Sequence, residues 1–492
     1  MTTVAMGLGS AIAVGDLRIL AANISIVRGS LQSSPGTTVF VSSVATLTLA
    51  ASVLGAGVLG DRFGMKRMFL AGACGAVLFG LLGAAAPNVV VLTIARAGIG
   101  VALAFLSGLS LAIMNAVFAP ERRAGAIAWF LATVYIFSGL PAAAGSALAE
   151  RFGWRSGLLV TPVLAILVLL ITVRYVPETD GSRRRIDVPG LVLVAVALIG
   201  VTYSVSNLEG GLDRGEIAAI LVGILAAGGF LWWEMRCPDP ALDMDLFRSA
   251  RFNAVLTAGA VSNLVQGGAM VMVTFYLVVI RGLSTWAFAL LLIPATLLSA
   301  LAALGAGRAA ARLGNGAVVV AGLSVLAVSL LIRLSFGEDT PVSVVAAVIA
   351  LTTIGGAIVQ TPQTTVMMSS APVNLGGVVS AVKASVGGTF FGLGSALFPI
   401  LSIILFTRAT GITTERASEI LRDASSVSIT GSDAGRSAVL VTETTSSTLA
   451  AAHTVNLVMA AVALAAALVV AMLFRRGPGP ITPPRRHPTG SC

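Results

Sequence analysis

Asp16 is an acidic side chain set deep inside an apolar stretch, and a carboxylate in that setting has few possible uses. A charged group at the centre of a bilayer costs about 2.5–3.5 kcal/mol on insertion scales. Burial favours the neutral form of a carboxyl group, whereas a nearby cation favours the ionised form. A carboxylate balanced between the two can load a proton from one side of a membrane and release it to the other. Alternatively, Asp16 sits near a helix end and pairs with Arg18 or with lipid headgroups. A spacing of two residues puts Arg18 on another helix face, so a partner from a different helix is expected. Arg96 and Lys383 are the other basic residues placed within apolar runs. Arg96 needs a counter-charge or a water-filled cavity; it is expected to face a central cavity and modulate Asp16, or else to tie down backbone carbonyls. Lys383 reads either as a counter-charge or anion site across that cavity, or as a flanking residue at a helix start.

A second chemistry lies in Gly57-x-x-x-Asp61-Arg62-x-Gly64-x-Lys66-Arg67. A carboxylate at a helix end can accept hydrogen bonds from a facing helix N-terminus and from arginine. The alternative is a turn residue in a solvated basic loop. Gly139, Pro141 and Gly145 permit close packing and a kink. Asn115, Asn263, Gln266, Gln360 and Gln363 interrupt apolar runs, with Phe105, Tyr135, Phe137, Phe275 and Tyr276 near some of them. A few polar groups among aromatics suit a cavity for varied amphipathic ligands. Each polar residue taken singly can equally join one helix to another.

The elements that hold these residues are membrane helices. Of 492 residues, 57% are hydrophobic and 11% charged, against about 25% charged in soluble domains. A water-facing surface cannot be built from so few charges, and helices are required because lipid satisfies no backbone group. Spans of about 20 residues are expected at 4–27, 38–60, 68–86, 89–118, 124–148, 157–176, 188–207, 216–234, 253–280, 285–307, 317–334, 342–366, 378–407 and 451–474. With loop 61–67 placed in the cytoplasm, eighteen Lys/Arg fall in cytoplasmic segments and six in the short outer loops. That bias predicts both termini inside. The net charge of +10 reads as this topology signal and not as nucleic-acid binding. Cys74, Cys237 and Cys492 form no metal or redox spacing.

Gly57-Val58-Leu59-Gly60-Asp61-Arg62-Phe63-Gly64 recurs 250 positions on as Gly307-Arg308-Ala309-Ala310-Ala311-Arg312-Leu313-Gly314. Each copy ends the second helix of a six-helix block, as expected of a transporter repeat. Ala311 replaces Asp61, and Gln266 stands at the same offset from Asp16. The expected organisation is a six-helix bundle over 1–180, two inserted helices over 181–250, and a second bundle over 251–476. Loop 408–448 is expected outside, with a short amphipathic helix over 413–425, and 477–492 as a disordered cytoplasmic tail.

The Gly57–Arg67 segment resembles the loop 2–3 signature of the major facilitator superfamily. Arg96-x-x-x-Gly100 is similar to its Arg-x-x-Gln-Gly motif, with Ile99 at the Gln position, and Gly139-Leu140-Pro141 with Gly145 looks like a degenerate antiporter motif. Pro177-Glu178-Thr179, and Pro238-Asp239-Pro240 leading to Leu246-Phe247-Arg248, are also similar. The likeness covers essentially the whole chain. Fourteen spans with two central extra helices resemble the drug:proton antiporter branch of the EmrB/QacA type. The resemblance implies an all-α integral membrane protein with the major facilitator fold. It also implies that Gly57, Asp61, Arg62, Gly64, Lys66 and Arg67 form a latch holding the halves together in one state, that Arg96 serves proton transfer near the first helix, and that Gly139, Pro141 and Gly145 mark an exporter. The first helix departs from the branch: Asp16 is followed by Ala21 and Ser25 where Asn and Pro are usual.

The expected function is therefore proton-coupled efflux of hydrophobic or cationic small molecules across the plasma membrane, by a monomer powered by the proton gradient with no cofactor. Export of an endogenous lipid, siderophore or secondary metabolite uses the same machine. An enzyme is not expected: His453 and His487 lie far apart, and no Ser or Thr has a His/Asp set around it.

Overall fold

The structure is a computed structural model that describes residues 1–32, 35–179, 181, 187–207, 214–236, 244–277, 281, 283, 285–370, 375–410 and 434–475. The loop helix expected at 413–425 and the tail at 477–492 lie outside these residues.

Helices fill nearly all of it. They are α1 (Thr2–Ala22), α2 (Ile24–Leu31), α3 (Pro35–Phe63), α4 (Met65–Ala84), α5 (Val89–Val117), α6 (Pro120–Phe137), α7 (Leu140–Phe152), α8 (Trp154–Leu158) and α9 (Val160–Tyr175). They continue as α10 (Val188–Asn207), α11 (Arg214–Glu234), α12 (Ala250–Phe275), α13 (Thr285–Leu313), α14 (Asn315–Ile332), α15 (Val342–Ser370), α16 (Gly376–Thr410) and α17 (Ala434–Arg475). Among the described residues thirteen stretches are long and apolar enough to cross a membrane, and Val188–Ser204 is a shorter apolar helix. Together they match the fourteen expected spans.

Three expected spans are broken. The first is interrupted at Asn23, whose Nδ2 donates back to the Ile19 carbonyl at 2.7 Å. The fifth divides at Ser138–Gly139, where Pro141 cannot supply the N–H that would bond into the preceding turn. The sixth divides at Leu159. At the far end, α17 reaches back to Ala434, so the part of the expected outer loop from there to 448 is helix.

Local chemistry sets several boundaries. The Asn88 side chain accepts from Val91 N–H at 3.0 Å and starts α5. Ser249 does the same for α12 through Phe252 N–H. The two repeated loops share one turn: Gly64 between α3 and α4 has φ +98, and Gly314 between α13 and α14 has φ +84. Only glycine enters that region without strain, which explains why both copies keep it.

α1 packs among α5, α6, α7 and α9, while α14 packs with α15 and α17. The inserted helices pair with each other, and α10 covers α3 and α16. Chain-distant contacts join α3 and α5 to α16, and α6 to α13 and α15. α7, the continuation of α6, instead packs on α1, α8 and α9. The contacts between the early and late helices thus gather towards the Asp61 end of the bundle.

Candidate functional site

Asp16 is 1% exposed and Arg96 2% exposed. α1 and α5 bring them together although 80 residues separate them in sequence. Arg96 Nη1 donates to Asp16 Oδ2 at 2.7 Å, and Thr161 Oγ1, from α9, donates to Asp16 Oδ1 at 2.5 Å. The carboxylate is thus held by three helices. Its partner does come from another helix, as the sequence predicts, and Arg18 is exposed on a different face of α1. Arg96 is buried against Asp16, and among the described residues its Nε and Nη2 have no hydrogen-bond partner. The pair matters because an unpaired guanidinium is costly wherever water is absent.

α7 brackets this carboxylate. A Cβ on Gly15 would lie 2.6 Å from Pro141 Cγ, and one on Gly145 would lie 2.8 Å from Ile19 Cγ2. Two of the three motif residues therefore press α7 onto α1 immediately beside Asp16. Gly139 does not share the role, since a Cβ there meets nothing within 4 Å. Gly100, four residues after Arg96, brings α5 against α3: its Cβ would fall 2.2 Å from the Ala45 carbonyl oxygen. These small residues position the pair, and Thr161 is the partner that sequence reasoning missed.

The second site lies where α3 meets α16. Asp61 is buried, and its Oδ1 and Oδ2 accept from the backbone N–H groups of Gly377 at 2.8 Å and Val378 at 3.0 Å. A carboxylate capping a helix N-terminus across a seam joins two orphan donors to the favourable end of the helix dipole. Gly57 makes the approach possible, as its Cβ would sit 2.5 Å from the Gly377 carbonyl oxygen. The basic residues of the same loop are turned to the segment after α9. Lys66 Nζ is 3.2 Å and Arg67 Nε 3.8 Å from Glu178, and Thr179 Oγ1 accepts from Lys66 N–H. Arg62 is exposed and stacks over Phe63. The expected latch thus divides into a seam across Asp61 and a clasp around Glu178.

The repeat gives the α6–α13 seam no counterpart of Asp61. Gly307 stands against Ala128 of α6, where a Cβ on the glycine would lie 2.9 Å from the Ala128 Cβ, whereas Ala311 is exposed.

The expected cavity residues separate. Tyr135 and Gln360 are half-buried. Asn263 is half-buried against α16 at Gly387 and donates to the Gly259 carbonyl at 2.7 Å. Gln266 is half-buried beside Gly356 and bonds Ser262 within its own helix. Asn115 belongs elsewhere: buried at the Asp61 end, its Nδ2 lies 3.9 Å from a Cβ built on Gly376. Tyr276 is buried too, its hydroxyl donating to the Gly337 carbonyl at 2.7 Å with its ring against Phe336. It anchors the α14–α15 connection because that carbonyl needs a donor. Arg333, one of the six basic residues counted in the short outer loops, is buried and donates to the Ala269 carbonyl and Thr352 Oγ1. Among the described residues no cluster of His, Cys, Asp or Glu could hold a metal.

The Major Facilitator Superfamily profile matches residues 6–399. The multidrug efflux pump LfrA of Mycolicibacterium smegmatis is 29% identical over 372 residues, covering 75% of this chain and 74% of that protein. The multidrug resistance protein Stp of Mycobacterium tuberculosis is 30% identical over 417 residues, covering 82% and 77%. Among solved structures, the human organic anion transporter MFSD10 superposes with a TM-score of 0.63 over 95% of this chain and 98% of that one; at 13% identity the likeness concerns the fold alone.

Proposed function

This chain belongs to the Major Facilitator Superfamily, and on that premise we propose that it is a drug-efflux transporter working by alternating access and driven by protons. Relatives named as multidrug efflux and resistance proteins support the export of drug-like molecules. The observation that carries proton coupling is the buried Asp16–Arg96 pair, closed by Thr161.

The coupling follows from the energetics of that pair. Two charges buried together are tolerated because each compensates the other, and removing one leaves an uncompensated charge worth about 3–5 kcal/mol. A proton on Asp16 does this to Arg96, two of whose nitrogens already lack partners. Arg96 then gains by meeting water or substrate, so protonation favours a rearrangement of α1 against α5. Loss of the proton restores the pair. Gly15 and Gly145, fitted against Pro141 and Ile19, transmit the movement of α1 to α7.

In the orientation predicted from the basic loops, the Asp61 seam is cytoplasmic. The present state is then closed to the cytoplasm, with Asp61 holding α16. Substrate enters from the cytoplasmic leaflet once that seam opens. The location is the plasma membrane, with both termini inside and one chain sufficing for transport. The organisation we adopt is the two repeated six-helix bundles with α10 and α11 inserted.

The test uses the full chain in proteoliposomes loaded with a fluorescent drug analogue. An imposed pH gradient drives transport and a protonophore abolishes it; flux indifferent to both contradicts proton coupling.

A further inference from the structure

The charges inside the second set of helices are not balanced. Between Ala250 and Thr410 the only acidic residues are Glu338 and Asp339, and both lie in the connection between α14 and α15. Lys383 stands within α16, two turns from its start at Gly376, so it is not the flanking residue of a helix end. It is half-buried, and among the described residues its ammonium meets no carboxylate and no hydrogen-bond acceptor. On the other side of the molecule, Asp16 is held by Arg96 and Thr161.

α12 and α16 run side by side in the same direction: Gly387 abuts Asn263, Gly267 abuts the Phe391 carbonyl, and Gly268 abuts the Phe398 ring. Lys383, one turn before Gly387, is therefore level with Gly259, one turn before Asn263. Gly259 is where Gln363 of α15 packs, its amide filling the space a Cβ would take. Gln363 is 2% exposed, and its Oε1 has no hydrogen-bond partner. Lys383 offers three donors and Asn263 a spare one, while Gln363 Oε1 lacks a donor.

Resting on the reading of the chain as an exporter, we propose that Lys383, Asn263 and Gln363 form the substrate's acid-binding site, and that the favoured cargo is an amphipathic acid. The cargo's carboxylate or phenolate pairs with the Lys383 ammonium and the free N–H of Asn263. A hydroxyl or amide N–H beside that acid satisfies Gln363 Oε1. The anion brings the negative charge that α12–α16 lack, and a neutral ligand leaves Lys383 unpaired. Cationic cargo is disfavoured, because it places like charges together away from water. An inside-negative membrane potential also assists the outward passage of an anion.

The full chain in proteoliposomes is tested with three dyes: fluorescein as the hydroxylated acid, Nile red as the neutral probe and rhodamine 6G as the cation. The intact protein moves fluorescein faster than rhodamine 6G. Lys383→Gln lowers the ratio of fluorescein to Nile red flux about tenfold or more, the scale of one charge-assisted hydrogen bond. Lys383→Arg keeps the ratio, and Lys383→Glu turns the preference towards rhodamine 6G, which a misfolded variant cannot do. An unchanged ratio in Lys383→Gln, or an intact protein that prefers rhodamine 6G, overturns the proposal. An intact protein that moves none of the three dyes overturns the export reading itself.

Discussion

The N–H of Gly377 donates across the α3–α16 seam to Asp61 at 2.8 Å, so a side chain read from a short loop motif holds the first turn of a helix more than 300 residues away. The neighbouring N–H of Val378 completes the cap. Hydrogen bonds to a charged group contribute about 1.5–3 kcal/mol each, enough to set which of two states predominates.

Asp61→Asn weakens that cap and opens the seam. The check is maleimide labelling of Ala381→Cys, a position that packs against Gly57, in a background lacking Cys74, Cys237 and Cys492. Labelling rises several-fold in the Asp61→Asn protein and transport falls by about tenfold. Equal labelling in both proteins removes the cap as the holder of this state.

Gly57→Ala places a methyl group 2.5 Å from the Gly377 carbonyl oxygen, where both sides are backbone and neither can turn away. Overpacking of this kind costs about 1–3 kcal/mol, read as a lower Tm and impaired transport. Gly139→Ala enters open space and leaves both close to the parent. The contrast is informative because both glycines belong to motifs that look equally important in sequence.

Thr161→Val removes the donor to Asp16 Oδ1. The buried carboxylate then lacks one bond, a loss of about 1–3 kcal/mol, seen as a lower Tm. Thr161→Ser retains the hydroxyl and most of the stability. Arg96→Met alone costs about 3–5 kcal/mol, and adding Asp16→Asn recovers part of it, since the isolated charge is gone. Strictly additive losses in that double-mutant cycle contradict a direct pair.

Glu178→Gln has little effect. Glu178 is 61% exposed, and exposed ion pairs contribute about 0–1 kcal/mol. Transport within about twofold of the parent is expected; a loss as large as that of Asp61→Asn assigns the clasp a coupling role.

The helices were legible because lipid imposes one rule on every span: long, apolar and internally bonded. The repeated turn was legible because Gly64 and Gly314 occupy backbone conformations other residues avoid. Asp16 and Arg96 stood out because charge is rare among the spans. Thr161 did not, since threonine in a membrane helix ordinarily bonds its own backbone, as Thr133 does to Trp129 and Thr364 to Gln360. Arg333 was misplaced because hydropathy assigns a charge at a span's edge to the loop, whereas the Ala269 carbonyl and Thr352 draw it inside. The contacts of Tyr276 with the Gly337 carbonyl and of Asn115 with Gly376 were not legible, because they join residues far apart in sequence.

The carboxylate of Asp16 is the centre of the account, and its replacement is the most direct measurement. In proteoliposomes with an imposed pH gradient, Asp16→Asn abolishes uphill, gradient-driven drug transport while exchange of drug down its own gradient persists. Uphill transport at the parent rate in the Asp16→Asn protein contradicts the mechanism.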